Sequence, residues 1–330
     1  MRINVHLSAF LALVPCFFLA AADSNPPAGD KPAHLWSEPT DIASRDLFYG
    51  PGGQEHQPVG PFTFEKEDMN GTNPKYVVRG QDGVKWKVKL GEEARPEPAA
   101  SRLVWAAGYF VDEDYFVANV QVHGIVPANV RRGAKQIGPD GFMHGVRMKR
   151  YPKGEDSTGQ WAWAQNPFSG TRELNGLRIM MALINNWDLK DENNKVYDTE
   201  NGRIYFVSDL GASFGTTGRD VTRAESKGNL NNYIHSTFIR RNSGDTVDFG
   251  DPSRPAMVHA FELPEFSSRV HMEWIGKNVP KADCRWIGKI LAQLSAAQIT
   301  ASFRAAGYTP DEAGAFAKVV EDRIAQLNAL

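Results

Sequence analysis

Two short polar segments, joined by a predicted β-hairpin, constrain the fold of this chain more than any other feature of its sequence. The first segment is Asp188–Asn193, and the second is Asp209-Leu210-Gly211. Between them lie two apolar runs typical of strands, Lys195–Tyr197 and Ile204–Val207. They flank Asn201-Gly202, a pair that tolerates positive φ and favours a two-residue turn. The hairpin predicts that the two polar segments meet.

The expected register decides which side chains face each other. With Asn201 and Gly202 as the turn, Glu200 faces Arg203, and Asn194 faces Asp209. The Cβ atoms of directly paired residues lie about 5 Å apart. Asn193 and Asp209 are therefore expected within reach of one metal ion.

The residue types in these segments match the needs of phosphoryl transfer from ATP. That reaction uses a carboxylate to orient the attacking hydroxyl, a cation near the phosphates, and oxygen ligands for Mg²⁺. Taken alone, the first segment also fits a solvated surface turn. A preceding amphipathic helix favours a functional loop, because it offers a rigid support. Its predicted N-cap is Thr171, and its apolar face is Leu174, Leu177, Met180, Met181 and Ile184.

A smaller strand-and-helix region precedes this helix. Tyr76–Arg79 and Val84–Val88 are predicted strands joined by a turn at Gln81-Asp82-Gly83. Lys85, Lys87 and Lys89 share one face of the second strand, either as a solvated face or with one of them binding phosphate. A helix is predicted over Pro98–Ala107 with Glu97 at its start, followed by a strand over Phe116–Val122.

The order of these features resembles the protein-kinase-like fold. The loop from Asp188 to Asn193 matches the protein-kinase catalytic loop from its aspartate onward, and Asp209-Leu210-Gly211 follows it. Lys89-Leu90-Gly91-Glu92-Glu93 is more similar to the atypical phosphoinositide-kinase and HipA-like branches. The resemblance implies a bilobal α+β fold, with a small β-rich N-lobe containing one helix and a larger, mainly helical C-lobe.

The resemblance also implies roles for single residues, with ATP and Mg²⁺ as cofactors. Asp188 would be the catalytic base, and Lys190 would contact the γ-phosphate. Asn193 and Asp209 would be the Mg²⁺ ligands. Lys89 would pair the ATP phosphates with Glu97 holding it in place. Lys87 is an alternative to Lys89, and Glu92 or Glu93 is an alternative to Glu97.

Two departures from the family pattern leave the activity open. The chain has no Gly-x-Gly-x-x-Gly loop, and Asn186-Trp187 replaces the usual His-Arg before the catalytic aspartate. We expect an atypical extracytoplasmic kinase that transfers the γ-phosphoryl group of ATP to an unidentified acceptor. The alternative is a catalytically inactive, kinase-like nucleotide-binding or scaffold protein. A metal-dependent hydrolase using Asp188 and Asp209 is a third reading, with single histidines at positions 123, 144, 235, 259 and 271.

The ends of the chain predict location and domain limits. Residues 1–22 read as a signal peptide cleaved after Ala22, for a secreted or periplasmic protein. A lipoprotein signal is disfavoured because proline precedes Cys16. Residues 23–60 are predicted as a flexible leader, 61–124 as the N-lobe and 125–330 as the C-lobe. The formal net charge of −2 gives no support for a nucleic-acid partner, and no membrane-spanning segment is expected after signal cleavage.

Overall fold

The structure, a computed structural model, describes residues 31–71, 73–151, 157–215, 227–250, 267 and 270–330. The predicted signal peptide lies outside this part of the chain. The described strands are β1 Ala33–His34, β2 Phe62–Asp68, β3 Lys75–Gly80, β4 Lys85–Lys89, β5 Phe110–Val111, β6 Asp114–His123, β7 Phe142–Arg150, β8 Lys195–Thr199, β9 Gly202–Val207, β10 Ile239–Ser243, β11 Thr246–Phe249 and β12 Val279–Pro280. The described helices are α1 Pro96–Ala106, α2 Arg172–Leu183, α3 Leu230–His235, α4 Lys281–Leu291, α5 Ala296–Ala305 and α6 Pro310–Asn328. The predicted mixture of helices and strands is confirmed.

Five strands close into a barrel in the order β2-β3-β4-β7-β6. The predicted hairpin β3–β4 turns at Gly83, whose φ of 77° suits glycine. Alternate apolar residues such as Val78, Trp86 and Met148 fill the interior. The predicted boundary after residue 124 is therefore wrong, because β7 pairs with both β4 and β6 and is needed to close the barrel.

Helix α1 packs away from the barrel interior. It begins at Pro96, two residues before the predicted start. Its buried face, which includes Ala99, Leu103 and Val104, belongs to the larger apolar core shared with the later helices. The prediction that this helix belongs to the N-lobe is therefore corrected, because the helix packs in the larger core. Residues from Pro32 to the C-terminus form one compact unit with two apolar cores.

The hairpin of β8 and β9 forms, but its register differs from the expected one. Thr199 pairs with Gly202 and Asp198 with Arg203, so Glu200 and Asn201 form the turn. Gly202 is required instead for a close approach, because a Cβ there would lie 2.5 Å from the carbonyl oxygen of Pro32. The shift moves each partner by two positions, so side chains keep their predicted faces.

The segment before the barrel is packed from its first described residues. Strand β1 pairs in parallel with β9, and Leu35, Ile42 and Leu47 are buried in the larger core. The Trp36 Nε1 atom donates to the carbonyl oxygen of Ala107 at 2.7 Å. The predicted flexible leader is therefore wrong for residues 32–60, where scattered apolar residues find partners distant in sequence.

The later helices follow their sequence signals closely. Thr171 caps α2 by accepting a hydrogen bond from the backbone of Leu174, and Ser295 and Thr309 open α5 and α6 with capping boxes. Residues 161–163 form an irregular segment whose two tryptophans are buried. In the described parts of the chain, no helix combines the length and the apolar character needed to cross a membrane.

Candidate functional site

A cleft of about 600 Å³ collects the side chains singled out from the sequence. It lies among the ends of β4 and β9, the start of α1 and the loop that follows α2. The structure brings all seven predicted site residues to this cleft: Lys87, Lys89, Glu97, Asp188, Lys190, Asn193 and Asp209.

The loop after α2 is held by its own asparagines. The Asn186 Oδ1 atom accepts a hydrogen bond from the backbone nitrogen of Asp188 at 3.0 Å. The Asn193 Nδ2 atom donates to the carbonyl oxygen of Asp188 at 2.9 Å. The Lys190 Nζ atom lies 3.6 Å from Asp188 Oδ1. These two asparagines therefore fix the backbone of the loop at Asp188.

Backbone hydrogen bonds join this loop to the segment around Asp209. Trp187 donates to the carbonyl of Ala212 at 3.3 Å, and Phe214 donates to that of Ile184 at 2.8 Å. Asp209 itself has a φ of 57°. Positive φ is uncommon for residues other than glycine, and such strain concentrates at functional sites.

The side chain of Glu93 leaves no space for a residue larger than glycine at position 211. A Cβ at position 211 would lie 2.6 Å from the Glu93 Cβ atom, closer than packed carbons approach. We expect Gly211→Ala to lower the free energy of unfolding by about 1–3 kcal/mol, because Glu93 or the backbone has to move. Chemical denaturation measures this change.

Gly314→Ala is the matched control for that variant. Gly314 lies in α6 with no atom within 4 Å of an added Cβ. Helix propensity predicts equal or higher stability, by up to about 1 kcal/mol. Equal effects of the two variants would show that Glu93 does not restrict position 211.

Lys89 is the centre of a buried ion-pair cluster. Its Nζ atom lies 2.8 Å from Glu97 Oε2, 2.9 Å from Glu93 Oε2 and 2.5 Å from Asp209 Oδ1. Lys89 is 1% exposed, and Glu97 is fully buried. Charged groups so deeply buried need close partners of opposite charge. The cluster therefore fixes α1, the end of β4 and Asp209 relative to one another.

The charges in this cluster shift one another's pKa values. Burial disfavours the charged form of Lys89, but Asp209, Glu97 and Glu93 outweigh it and raise the pKa of Lys89 well above its usual value. Burial would also raise the pKa of Asp209, yet the Lys89 ammonium holds that pKa well below its usual range. For Glu93, Lys89 and Lys227 overcome burial and lower the pKa to about 2. Lys89, Asp209 and Glu93 are therefore charged at neutral pH.

Arg147 and Asp114 extend the ion-pair cluster beyond Glu97. The Arg147 Nε atom lies 3.1 Å from Glu97 Oε2 and 3.6 Å from Asp114 Oδ1. Burial and the neighbouring Glu97 carboxylate raise the pKa of Asp114 to about 6. Lys89 and Arg147 therefore contact the same oxygen atom of Glu97.

The structure distinguishes the alternatives left open by the sequence. Lys87 lines the cleft but pairs with Asp68, its Nζ atom 2.7 Å from Asp68 Oδ2. Lys85 is exposed and is not among the described residues that line the cleft. Glu93 contacts Lys89 together with Glu97, whereas Glu92 is exposed.

Sequence reasoning missed several residues of the cleft. Asn70, Gly71 and Asn73 come from the loop between β2 and β3, which covers one side. Further residues come from distant elements: Lys75, Arg147, Lys149, Lys195 and Lys227.

The C-terminal helix supports the loop from behind. Arg323 of α6 is buried, and its Nη1 atom donates to the carbonyl of Leu183 at 2.8 Å and to Asn185 Oδ1 at 2.9 Å. Its Nη2 atom donates to Ser236 Oγ at 2.6 Å. These bonds hold the end of α2 and Asn185, whose φ is 52°. The loop carrying Asp188 is thus braced by a residue far along the chain.

The oxygen donors of the cleft fit a hard divalent cation. Asn193 uses its amide nitrogen on Asp188, which orients the amide oxygen as the group for a cation. Asp209 adds a carboxylate, and carboxylate and amide oxygens are the ligands Mg²⁺ favours. The closely spaced carboxylates of Glu93, Glu97 and Asp209 lie within 4.8 Å of one another, but the Lys89 ammonium bonds to all three.

The histidines give no support to a hydrolase site. In the parts of the chain that the structure covers, the one group of adjacent potential metal ligands contains no histidine. His259 lies outside the described residues.

Comparisons with known proteins give a distant structural likeness. No protein-family model matches the sequence, and no curated protein matches it either. Among solved structures, the chain is similar to the proinflammatory kinase CtkA of Helicobacter pylori, with 8% sequence identity and a TM-score of 0.46. The match covers 81% of this chain and 95% of that chain. So distant a likeness carries no argument about activity, and the conclusions below rest on the cleft itself.

Proposed function

We propose that this protein is an atypical kinase, transferring the γ-phosphoryl group of ATP to a hydroxyl acceptor with Mg²⁺ as cofactor. One observation carries the proposal. Lys89 is bonded to both Glu97 and Asp209, at 2.8 Å and 2.5 Å, in the cleft that also holds Asp188 and Asn193. This combination supplies a phosphate-binding cation, oxygen ligands and a carboxylate base together.

Different charged residues of the cleft bind the phosphates and the Mg²⁺ ion in this proposal. In the proposed mechanism, Lys89 binds the ATP phosphates, and Glu97 keeps its ammonium in position. Asn193 and Asp209 hold Mg²⁺ through their side-chain oxygens. When bound, Mg²⁺ supplies neutralisation of the phosphate charge. Lys190 stabilises the negative charge on the γ-phosphoryl group. Positioning and electrostatic stabilisation of this kind make the main contribution to the rate.

Asp188 performs the proton transfer. The acceptor's hydroxyl oxygen forms a bond to the γ-phosphorus, while the bond from that phosphorus to the bridging oxygen breaks. ADP leaves with the bonding electrons, and the Asp188 carboxylate takes the hydroxyl proton. Asn186 fixes the backbone at Asp188, which restricts the positions that the carboxylate can take and supports this role.

The location in the cell is part of the same proposal. The apolar run and the small residues up to Ala22 support export of the chain to the periplasm or the exterior. N-terminal sequencing of the exported protein tests this point. A chain that begins at Asp23 supports cleavage, and an intact Met1 in the cytoplasm contradicts it.

Transfer from labelled ATP tests the activity. Purified protein with Mg²⁺ and γ-labelled ATP is expected to label itself or an added protein, lipid or sugar acceptor, and EDTA should stop the labelling. The proposal fails if neither the protein itself nor any added acceptor becomes labelled.

The second candidate is a kinase-like nucleotide-binding or scaffold protein without turnover. The direct contact of Lys89 with Asp209 favours it, since the carboxylate proposed for Mg²⁺ is already paired in this structure. A thermal shift with Mg-ATP but no transfer supports a nucleotide-binding protein. Absence of both supports a scaffold.

A further inference from the structure

The described residues that line the cleft are almost all polar or charged. Among the described residues that line it, Trp187 alone carries an apolar side chain, and Trp187 is 4% exposed. The Lys227 Nζ atom lies 5.6 Å from the centre of a Trp187 ring, so a cation already covers that side chain. Sites that recognise a small molecule by its ring system are lined mainly by apolar and aromatic groups. The described walls offer a nucleobase no such surface.

Cations dominate the lining instead. Among the described lining residues, eight carry a positive charge and five carry a carboxylate. Most of the cations have a carboxylate partner, as Lys149 has in Asp112 at 2.9 Å and Lys87 has in Asp68. The positively charged residues are Lys75, Lys87, Lys89, Arg147, Lys149, Lys190, Lys195 and Lys227.

Two of these lysines lack a carboxylate partner. Within the described parts of the chain, neither Lys75 nor Lys195 has a carboxylate oxygen within 4 Å. Lys75 begins β3 on the barrel side, and Lys195 begins β8 on the other side of the cleft. Both side chains are partly buried. In the part of the chain that the structure describes, no carboxylate oxygen lies close enough to form an ion pair with either ammonium, so both would stabilise an anion held between the two sides.

We propose that the cleft selects its phosphoryl donor by the polyphosphate chain and not by the nucleobase. Nucleoside triphosphates with different bases, and inorganic tripolyphosphate, then bind alike. The inference rests on the proposed phosphotransferase function and names its donor class. Lys75 and Lys195 bind the phosphates in addition to Lys89.

The same step runs with tripolyphosphate as donor. The acceptor oxygen bonds to a terminal phosphorus, and the bond from that phosphorus to its bridging oxygen breaks. Pyrophosphate leaves with the bonding electrons, and Asp188 takes the proton. The products are the phosphorylated acceptor and pyrophosphate, with no additional reactant.

Direct binding measurements compare the donors. Calorimetric titration of the purified protein with ATP, GTP, inorganic tripolyphosphate and adenosine, each in excess Mg²⁺, gives the dissociation constants. The three polyphosphates are expected to agree within about threefold, with adenosine showing no binding at millimolar concentration. The inference is overturned if ATP binds more than about tenfold tighter than both GTP and tripolyphosphate, or if adenosine competes with ATP.

These outcomes separate the inference from the function on which it rests. Selective binding and transfer from ATP alone overturn the inference and leave the kinase intact. Equal binding of all three polyphosphates without any transfer supports the inference and overturns the enzymatic activity. Failure of every polyphosphate to bind overturns both.

Variants at the two lysines test their role. Lys75→Met and Lys195→Met are each expected to weaken tripolyphosphate and ATP binding by about tenfold and by the same factor, since each removes a charge-assisted contact to phosphate. Lys85→Met, at an exposed position outside the cleft, is the control and should leave binding unchanged. Unchanged affinity in both cleft variants, with melting temperatures like that of the parent protein, contradicts the assignment.

Discussion

Lys89→Met is expected to lower the free energy of unfolding by about 3–5 kcal/mol, the range measured when one partner of a buried ion pair is removed. The Lys89 ammonium contacts three carboxylates, those of Glu93, Glu97 and Asp209. Methionine fills a similar volume but leaves these charges in a desolvated site. Arg147 still pairs with Glu97 and Lys227 with Glu93, which limits the loss of stability. Urea denaturation followed by circular dichroism measures the change.

Lys85→Met provides the matched control on the same strand. Its side chain is exposed, so the same substitution should change the free energy of unfolding by less than about 0.5 kcal/mol. Adding Glu97→Gln to Lys89→Met should recover part of the lost stability, because one unpaired charge disappears. A loss below about 1 kcal/mol in Lys89→Met, without recovery in the double variant, would show that the cluster does not hold the fold.

Asp188→Asn is expected to reduce phosphoryl transfer by about 10²–10⁴-fold, the usual contribution of a general base. Asparagine keeps the shape of the side chain and the hydrogen bond from the Asp188 backbone nitrogen to Asn186. It cannot accept the hydroxyl proton. Donor binding should stay nearly unchanged, because the proposed phosphate contacts belong to other residues. Single-turnover transfer and calorimetric binding separate the two effects.

Asp198→Asn is the control for that substitution. Asp198 lies on β8 and pairs with Arg203 at 3.2 Å, at an exposed position. Exposed ion pairs contribute little, so neither transfer nor stability should change measurably. Equal losses of binding and transfer in Asp188→Asn, or full activity, would contradict the role of Asp188 as base.

Local sequence signals predicted the elements that carry the site. Thr171 marks the start of α2 because a capping side chain acts within three residues. The hairpin between the two polar segments was predicted for the same reason, since apolar strands and turn residues act locally. These local elements were sufficient to predict that Asp188, Asn193 and Asp209 share a cleft.

Contacts distant in sequence explain what was missed. Gly202 was read as a turn residue, but the approach of Pro32, which is far away in the chain, requires it. Strand β7 closes the barrel by pairing across long separations. Arg147 carries no local signal for its contact with Glu97. The flexible leader was predicted from composition, which does not reveal the docking partners of Leu35 or Ile42.

Binding of a divalent cation tests the central claim most directly, because it needs no knowledge of the acceptor. Mn²⁺ serves as a paramagnetic probe for the Mg²⁺ site, and its binding is followed by electron paramagnetic resonance in the presence of ATP. We predict that the protein binds the Mn²⁺ complex, and that Asn193→Ala and Asp209→Asn each weaken this binding at least tenfold while the protein stays folded. Equal Mn²⁺ binding by the parent protein and both folded variants would contradict the account.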